Sequence, residues 1–137
     1  MTEFPALSGA PLLLLRQEGA AAAAFALALY GSSGGSWLWF AGFALAPDIS
    51  FAGYLAGPRI GAAIYNAAHI YAGPAALWLA GWWSGWNSGE LAALIWAAHI
   101  GVDRTLGYGL KYASGFADTH LGRIGRAAAV AKQVAAG

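Results

Sequence analysis

Two uncharged stretches constrain this chain more than any other feature. Gly19–Pro47 and Ile60–Gly89 contain no Asp, Glu, Lys or Arg. Each exceeds the ~20 residues that a helix needs to cross the hydrocarbon core of a bilayer. Charged residues make up 9% of the chain and hydrophobic ones 59%, against about 25% charged in an ordinary soluble domain. A soluble fold of 137 residues cannot hide so much apolar surface in one core. The expectation is an all-α integral membrane protein whose first partner is the lipid bilayer. A net charge of +1 with no basic cluster argues against a nucleic-acid partner. With no cysteine, disulfides and thiolate metal ligands are excluded.

Turn signals at Gly31–Ser36 (GSSGGS), Gly57-Pro58 and Ser84–Gly89 (SGWNSG) divide the chain. They leave spans near Pro11–Tyr30, Trp37–Ala56, Pro58–Trp83 and Glu90–Tyr108. Turns this short predict a four-helix up-down-up-down bundle over residues 1–109. Residues 110–137 follow as a cytoplasmic C-terminal segment placed to cap it. Pro47 and Pro74 fall inside spans and are expected to kink them. Under this topology Arg16, Arg59, Arg104, Lys111, Arg123 and Arg126 lie on one side, and the opposite loops hold no Lys or Arg. The positive-inside rule then puts both termini in the cytoplasm. Trp37, Trp39, Trp82, Trp83 and Trp86 gather at the other face, as an interfacial belt does. Gly81, Gly85 and Gly89, like Gly53 and Gly57, have the spacing that permits close helix packing.

Within the spans the ionisable side chains are few, and every span carries at least one: Glu18, Asp48, His69, and His99 with Asp103. At 1.5 Å of rise per residue, Asp48, Asn66, His69 and His99 lie roughly 12–16 Å below the cytoplasmic boundary, with Glu18 and Asp103 at roughly 7–10 Å. These residues form one layer. His99 and Asp103 are four apart and Asn66 and His69 three apart, so each pair projects from one helix face. A charge facing lipid at this depth costs about 2.5–3.5 kcal/mol even on the lenient insertion scale. The groups are therefore expected to face each other, a cavity or a bound ion. Arg104 reads as a side chain that snorkels to the headgroups. Beyond the fourth span, the tail GLKYASGFADTHLGRIGR adds a second acid–histidine pair, Asp118 and His120, which folding back would bring towards the layer.

The stretch Gly107–Gly125 (GYGLKYASGFADTHLGRIG) resembles a family of small bacterial membrane proteins known as DUF4260, a domain of unknown function. The likeness extends through Leu45–Pro74 and Ile95–Gly109 and covers the chain from about Arg16. It implies a multi-pass protein of the bacterial inner membrane and supports the polar residues as a set, without assigning them a role. The layout is also similar to membrane-bound metal-dependent hydrolases, by residue type alone.

Three classes of function fit these residues. The first is a metal-dependent membrane enzyme. Imidazole and carboxylate ligands without thiolate suit Zn, Mn or Fe. His69, His99 and Asp103 are the candidate ligands, and Asp48 and Glu18 the candidate catalytic residues, Asp48 as a further ligand or as a base that activates a metal-bound water. Asn66, Asp118 and His120 would orient ligands or contact substrate. Depth in the bilayer suits a lipid-like or amphiphilic substrate and a hydrolytic reaction, with a cyclase or isomerase also allowed. The second class is a haem b or pigment protein ligated by His69 and His99. The third is a non-catalytic homo-oligomer or subunit of a larger membrane complex, with the polar layer as interhelical glue.

Overall fold

The computed structural model describes residues 7–137. Helix α1 (Gly9–Ser32) is followed by α2 (Trp37–Phe43), which passes through a two-residue turn into a 3₁₀ helix (Ala46–Ala56). Next come α3 (Pro58–Ala68), α4 (Ala72–Ser84) and α5 (Asn87–Leu106). The chain ends with a small antiparallel hairpin of β1 (Asp118–Thr119) and β2 (Gly122–Arg123), then α6 (Arg126–Ala136).

Helix α5 is the hub: it packs along α1 on one side and α4 on another, while the 3₁₀ helix lies against α3. Ala26 and Tyr30 of α1 meet Leu94, Ile95 and Ala98 of α5 in the core. Nearer the other end the two backbones touch. A Cβ on Gly101 would stand 2.7 Å from the amide nitrogen of Ala23, and one on Gly19 would collide with Cβ of Arg104. Contacts this close between small residues are how helices associate where lipid removes the hydrophobic drive.

The outward surface is apolar. Leu38, Leu55 and Trp83 are all more than four-fifths exposed, and Trp37, Trp39, Trp82 and Trp86 are exposed as well. Gly9–Ser32 and Trp37–Ala56 are each long and apolar enough to cross a membrane.

The structure differs from the sequence expectation at the second and third spans, which are interrupted rather than continuous. In the second, the α-helix stops at Phe43, and Asp48 N–H returns to Leu45 O (3.0 Å), an i→i−3 bond. Proline at 47 has no N–H to continue the α-ladder, so the chain tightens into the 3₁₀ pattern. Eleven residues is long for such a segment, since runs beyond three or four residues are uncommon. The third span breaks at His69–Tyr71 into α3 and α4, and Pro74 in the first turn of α4 accounts for the restart. The two prolines thus act as breaks where kinks were expected.

Beyond α5 the chain reverses at Gly107, whose φ of 91° favours glycine, and Tyr108 N–H closes the end on Asp103 O (2.8 Å). The tail then folds back onto α3. Asn66 Oδ1 accepts from Lys111 N–H (2.6 Å), and Asn66 Nδ2 donates to Lys111 O (2.9 Å). Phe116 packs on Phe51 and Tyr54 of the 3₁₀ helix.

Candidate metal centre

Both helix breaks free backbone carbonyls, and those carbonyls aim the histidines. In a 3₁₀ pattern Ala44 O would be paired by the N–H of residue 47, which is proline and has none. His99 Nδ1 takes that place at 2.7 Å. At the end of α3, His69 Nδ1 lies 2.8 Å from Tyr65 O. Two further carbonyls at this break are also met by α5: Trp96 Nε1 donates to Ala68 O (2.6 Å) and Arg104 Nη2 to His69 O (2.7 Å). Buried carbonyls need such partners.

A carbonyl oxygen can only accept, so each Nδ1 carries a proton and donates it. In a neutral imidazole the other nitrogen is then bare. The two bare Nε2 atoms face each other at 3.2 Å. Asp48 Oδ1 stands 3.4 Å from His69 Nε2 and 3.3 Å from His99 Nε2. Asp103 Oδ2 stands 3.5 Å and 3.4 Å from the same two atoms. All four ligand atoms lie within 4.8 Å of one another. With both imidazoles neutral and both carboxylates ionised, four acceptors converge with no donor among them.

These separations fit a cation at their centre. A tetrahedral ion with bonds of about 2.0–2.1 Å to nitrogen and oxygen has ligand edges of about 3.3–3.4 Å. Five of the six edges, those between the nitrogens and from nitrogen to oxygen, run from 3.2 to 3.5 Å, and the carboxylate–carboxylate edge lies within 4.8 Å. His69 is almost fully buried, held flat by the Tyr65 ring at 3.7 Å. Of the four side chains, Asp48 is the most exposed, at 31% against 15% for Asp103. The centre is reached from the Asp48 side.

The remaining sequence candidates fall outside this cluster. Glu18 is exposed on α1. Asn66 is the latch for the tail. Asp118 accepts from Ser114 Oγ (3.0 Å) and Arg123 Nε (3.1 Å) within the hairpin. His120 Nδ1 accepts from Leu110 N–H (2.9 Å), so its ring braces the tail. Burial and the nearby Arg104 guanidinium both push the His120 pKa below the usual histidine value. Lys111 is buried, its ammonium 4.0 Å from the Phe116 ring centre and 5.0 Å from that of Tyr65. Burial lowers the Lys111 pKa, and the negative field of Asp103 and Asp48 opposes that shift.

Arg104 corrects the sequence reading. It joins the support of the site, lying half-buried and donating to His69 O (2.7 Å) and Tyr108 O (3.1 Å). Tyr65, Trp96 and Arg104 all support the histidines and were not singled out as such. The i, i+4 spacing of Tyr65 and His69 was the available signal, since it stacks the two rings on one helix face.

No curated protein and no solved structure matches the chain. A family model described as "Domain of unknown function (DUF4260)" matches residues 12–124, a span that holds all four converging side chains and the hairpin. The chain belongs to that family.

Proposed function

We propose that this protein is a four-span enzyme of the bacterial inner membrane that binds one divalent metal ion through His69, His99, Asp103 and Asp48. Convergence of two bare imidazole nitrogens on two carboxylate oxygens carries the reading. Without a cation the arrangement is four acceptors in a largely buried space, which is costly in low dielectric. An N₂O₂ donor set with no thiolate suits Zn, Mn or Fe. The apolar exterior and the exposed tryptophans support membrane residence. In this reading α1, α2 with the 3₁₀ helix, α3 with α4, and α5 each make one crossing, with both termini cytoplasmic.

A bound metal supplies Lewis acidity, polarising a substrate oxygen or lowering the pKa of water. His69, His99 and Asp103 are the least exposed members and act as permanent ligands. Asp48, on the 3₁₀ helix and most open to its surroundings, is the member that exchanges. As the base at the centre, its carboxylate would accept a proton from water at Oδ1, while the other three side chains would hold the ion. Catalytic sites keep one position open, whereas four fixed ligands make a structural site. Hydrolysis is the reaction class these roles serve.

The geometry disfavours haem. Axial nitrogens on opposite sides of an iron stand about 4 Å apart at metal–imidazole bonds of about 2.0 Å. Here they are 3.2 Å apart with carboxylate oxygens beside them. Cobalt(II) substitution tests the proposal. Wild type should give the strong visible absorption of a tetrahedral ion, and His99→Ala should lose it. A wild-type spectrum no different from cobalt in buffer contradicts the proposal.

A further inference from the structure

A second feature joins the metal centre along α5. An apolar cavity of about 810 Å³ lies between α2 with the 3₁₀ helix on one side and α4 on the other, with α5 as its floor. Its floor residues are Ser88, Leu91, Ala92, Ile95 and Trp96. Their spacing of three and four places them on one face of the helix. His99 and Asp103 continue that face by the same steps. Ser88 to Trp96 spans about 12 Å of helix, and His99 lies one turn further on. Elsewhere the lining includes Pro47 and Ala68, immediate neighbours of Asp48 and His69. The slot therefore ends beside the metal centre.

We infer that this slot holds the hydrocarbon chain of a single-chain amphiphile, whose polar end is thereby delivered to the four ligands. The inference rests on the metal-enzyme reading and names its substrate class. No charged side chain among the described residues lines the slot. Of its polar members, Ser50 turns its hydroxyl onto Pro47 O at 2.6 Å. The volume lies within the ~300–1,000 Å³ of cavities that enclose a small ligand. Among the described residues the two walls, α2 and α4, share no extensive contact, which leaves the slot a side facing the bilayer in the membrane reading. A hydrocarbon chain gains little by moving from lipid into an apolar slot, so its role is positioning. Its far end lies by Tyr30, Gly34 and Ser36, at the tryptophan-rich end of the bundle. A chain lying there points away from the leaflet that contains the metal centre, as the chain of a lipid from that leaflet does.

Native mass spectrometry of protein released from two-chain-lipid nanodiscs, after incubation with a sixteen-carbon lysophospholipid, tests this. Wild type should retain one probe molecule. Ala92→Phe, which fills the middle of the slot from an exposed position, should weaken retention at least tenfold. Ser88→Trp should do the same at the far end, and Leu38→Phe, on the outer surface, should have no effect. Metal content measured on the same samples should be unchanged in these three. His99→Ala should lose the metal and keep the probe, which separates failure of the slot from failure of the metal site. Retention that is absent in wild type, unaffected by Ala92→Phe and Ser88→Trp, or equally reduced by Leu38→Phe overturns the inference.

Discussion

His69 and His99 meet through their Nε2 atoms at 3.2 Å, and each is turned to do so by a carbonyl released at a break in a helix. Ala44 O is free because residue 47 is proline, and Tyr65 O is within reach because α3 stops at Ala68. The irregular backbone that sequence patterns register only as a kink is thus the part that sets the site's chemistry. Irregular backbone inside a membrane is tolerated where protein covers it or it lines a cavity.

Arg104 ties the His69 carbonyl from the neighbouring helix. Its removal leaves a buried acceptor without its charged donor, worth about 1.5–3 kcal/mol. Arg104→Ala should lower thermal stability in detergent by that order. It should also weaken metal binding about 10–100-fold, as loss of a supporting contact commonly does. Metal titration by competition with a chromophoric chelator reads the second effect.

Gly101 lies where α1 and α5 touch, with no space for a side chain. Gly101→Val should destabilise by about 1–3 kcal/mol, the usual cost of overpacking. Gly42→Ala, where the added methyl meets nothing within 4 Å, should change little. Melting curves of the two variants beside wild type, in one detergent, measure the contrast.

Asn66 holds the tail by two hydrogen bonds to Lys111. Asn66→Ala should release about 1–3 kcal/mol of local stability, at about 0.5–1.5 kcal/mol per bond. Trypsin should then cut after Lys111 at least several-fold faster than in wild type, where that residue is buried.

His120 gives the fold a pH dependence with a definite sign. Its pKa in the folded chain is below the ordinary value, so the unfolded chain binds the extra proton first. The stabilisation is complete above the unfolded value of about 6.5 and is lost as pH falls below it towards the folded value. Between about pH 7.5 and about pH 5.5, wild type should lose stability relative to His120→Gln, which does not titrate there. Parallel melting curves across that interval check it.

Much of this was legible in the sequence. Charge-free stretches and turn signals located the helices, and depth counting placed Glu18, Asp48, Asn66, His69, His99 and Asp103 in one layer, of which Asp48, His69, His99 and Asp103 converge while Glu18 and Asn66 do not. Helical spacing paired His99 with Asp103 because periodicity is local. The other members required knowing how separate helices rotate about their axes, which composition does not encode. Asp118 and His120 look like site residues by type, but the hairpin uses them locally: one pairs with Arg123 and the other accepts from Leu110. The carbonyl partners were hidden because backbone groups carry no residue signature. Gly19 and Gly101 were passed over for the more regular Gly81, Gly85 and Gly89, since contact depends on which face meets the neighbour.

The most direct test is the metal content of protein purified without a tag or chelator, measured by elemental analysis. The account predicts about one Zn, Mn or Fe per chain in wild type, and its loss in His99→Ala and Asp103→Ala while both still melt cooperatively. Wild-type protein that stays metal-free after reconstitution with all three ions would contradict it, and the four side chains would then be a proton-filled polar network.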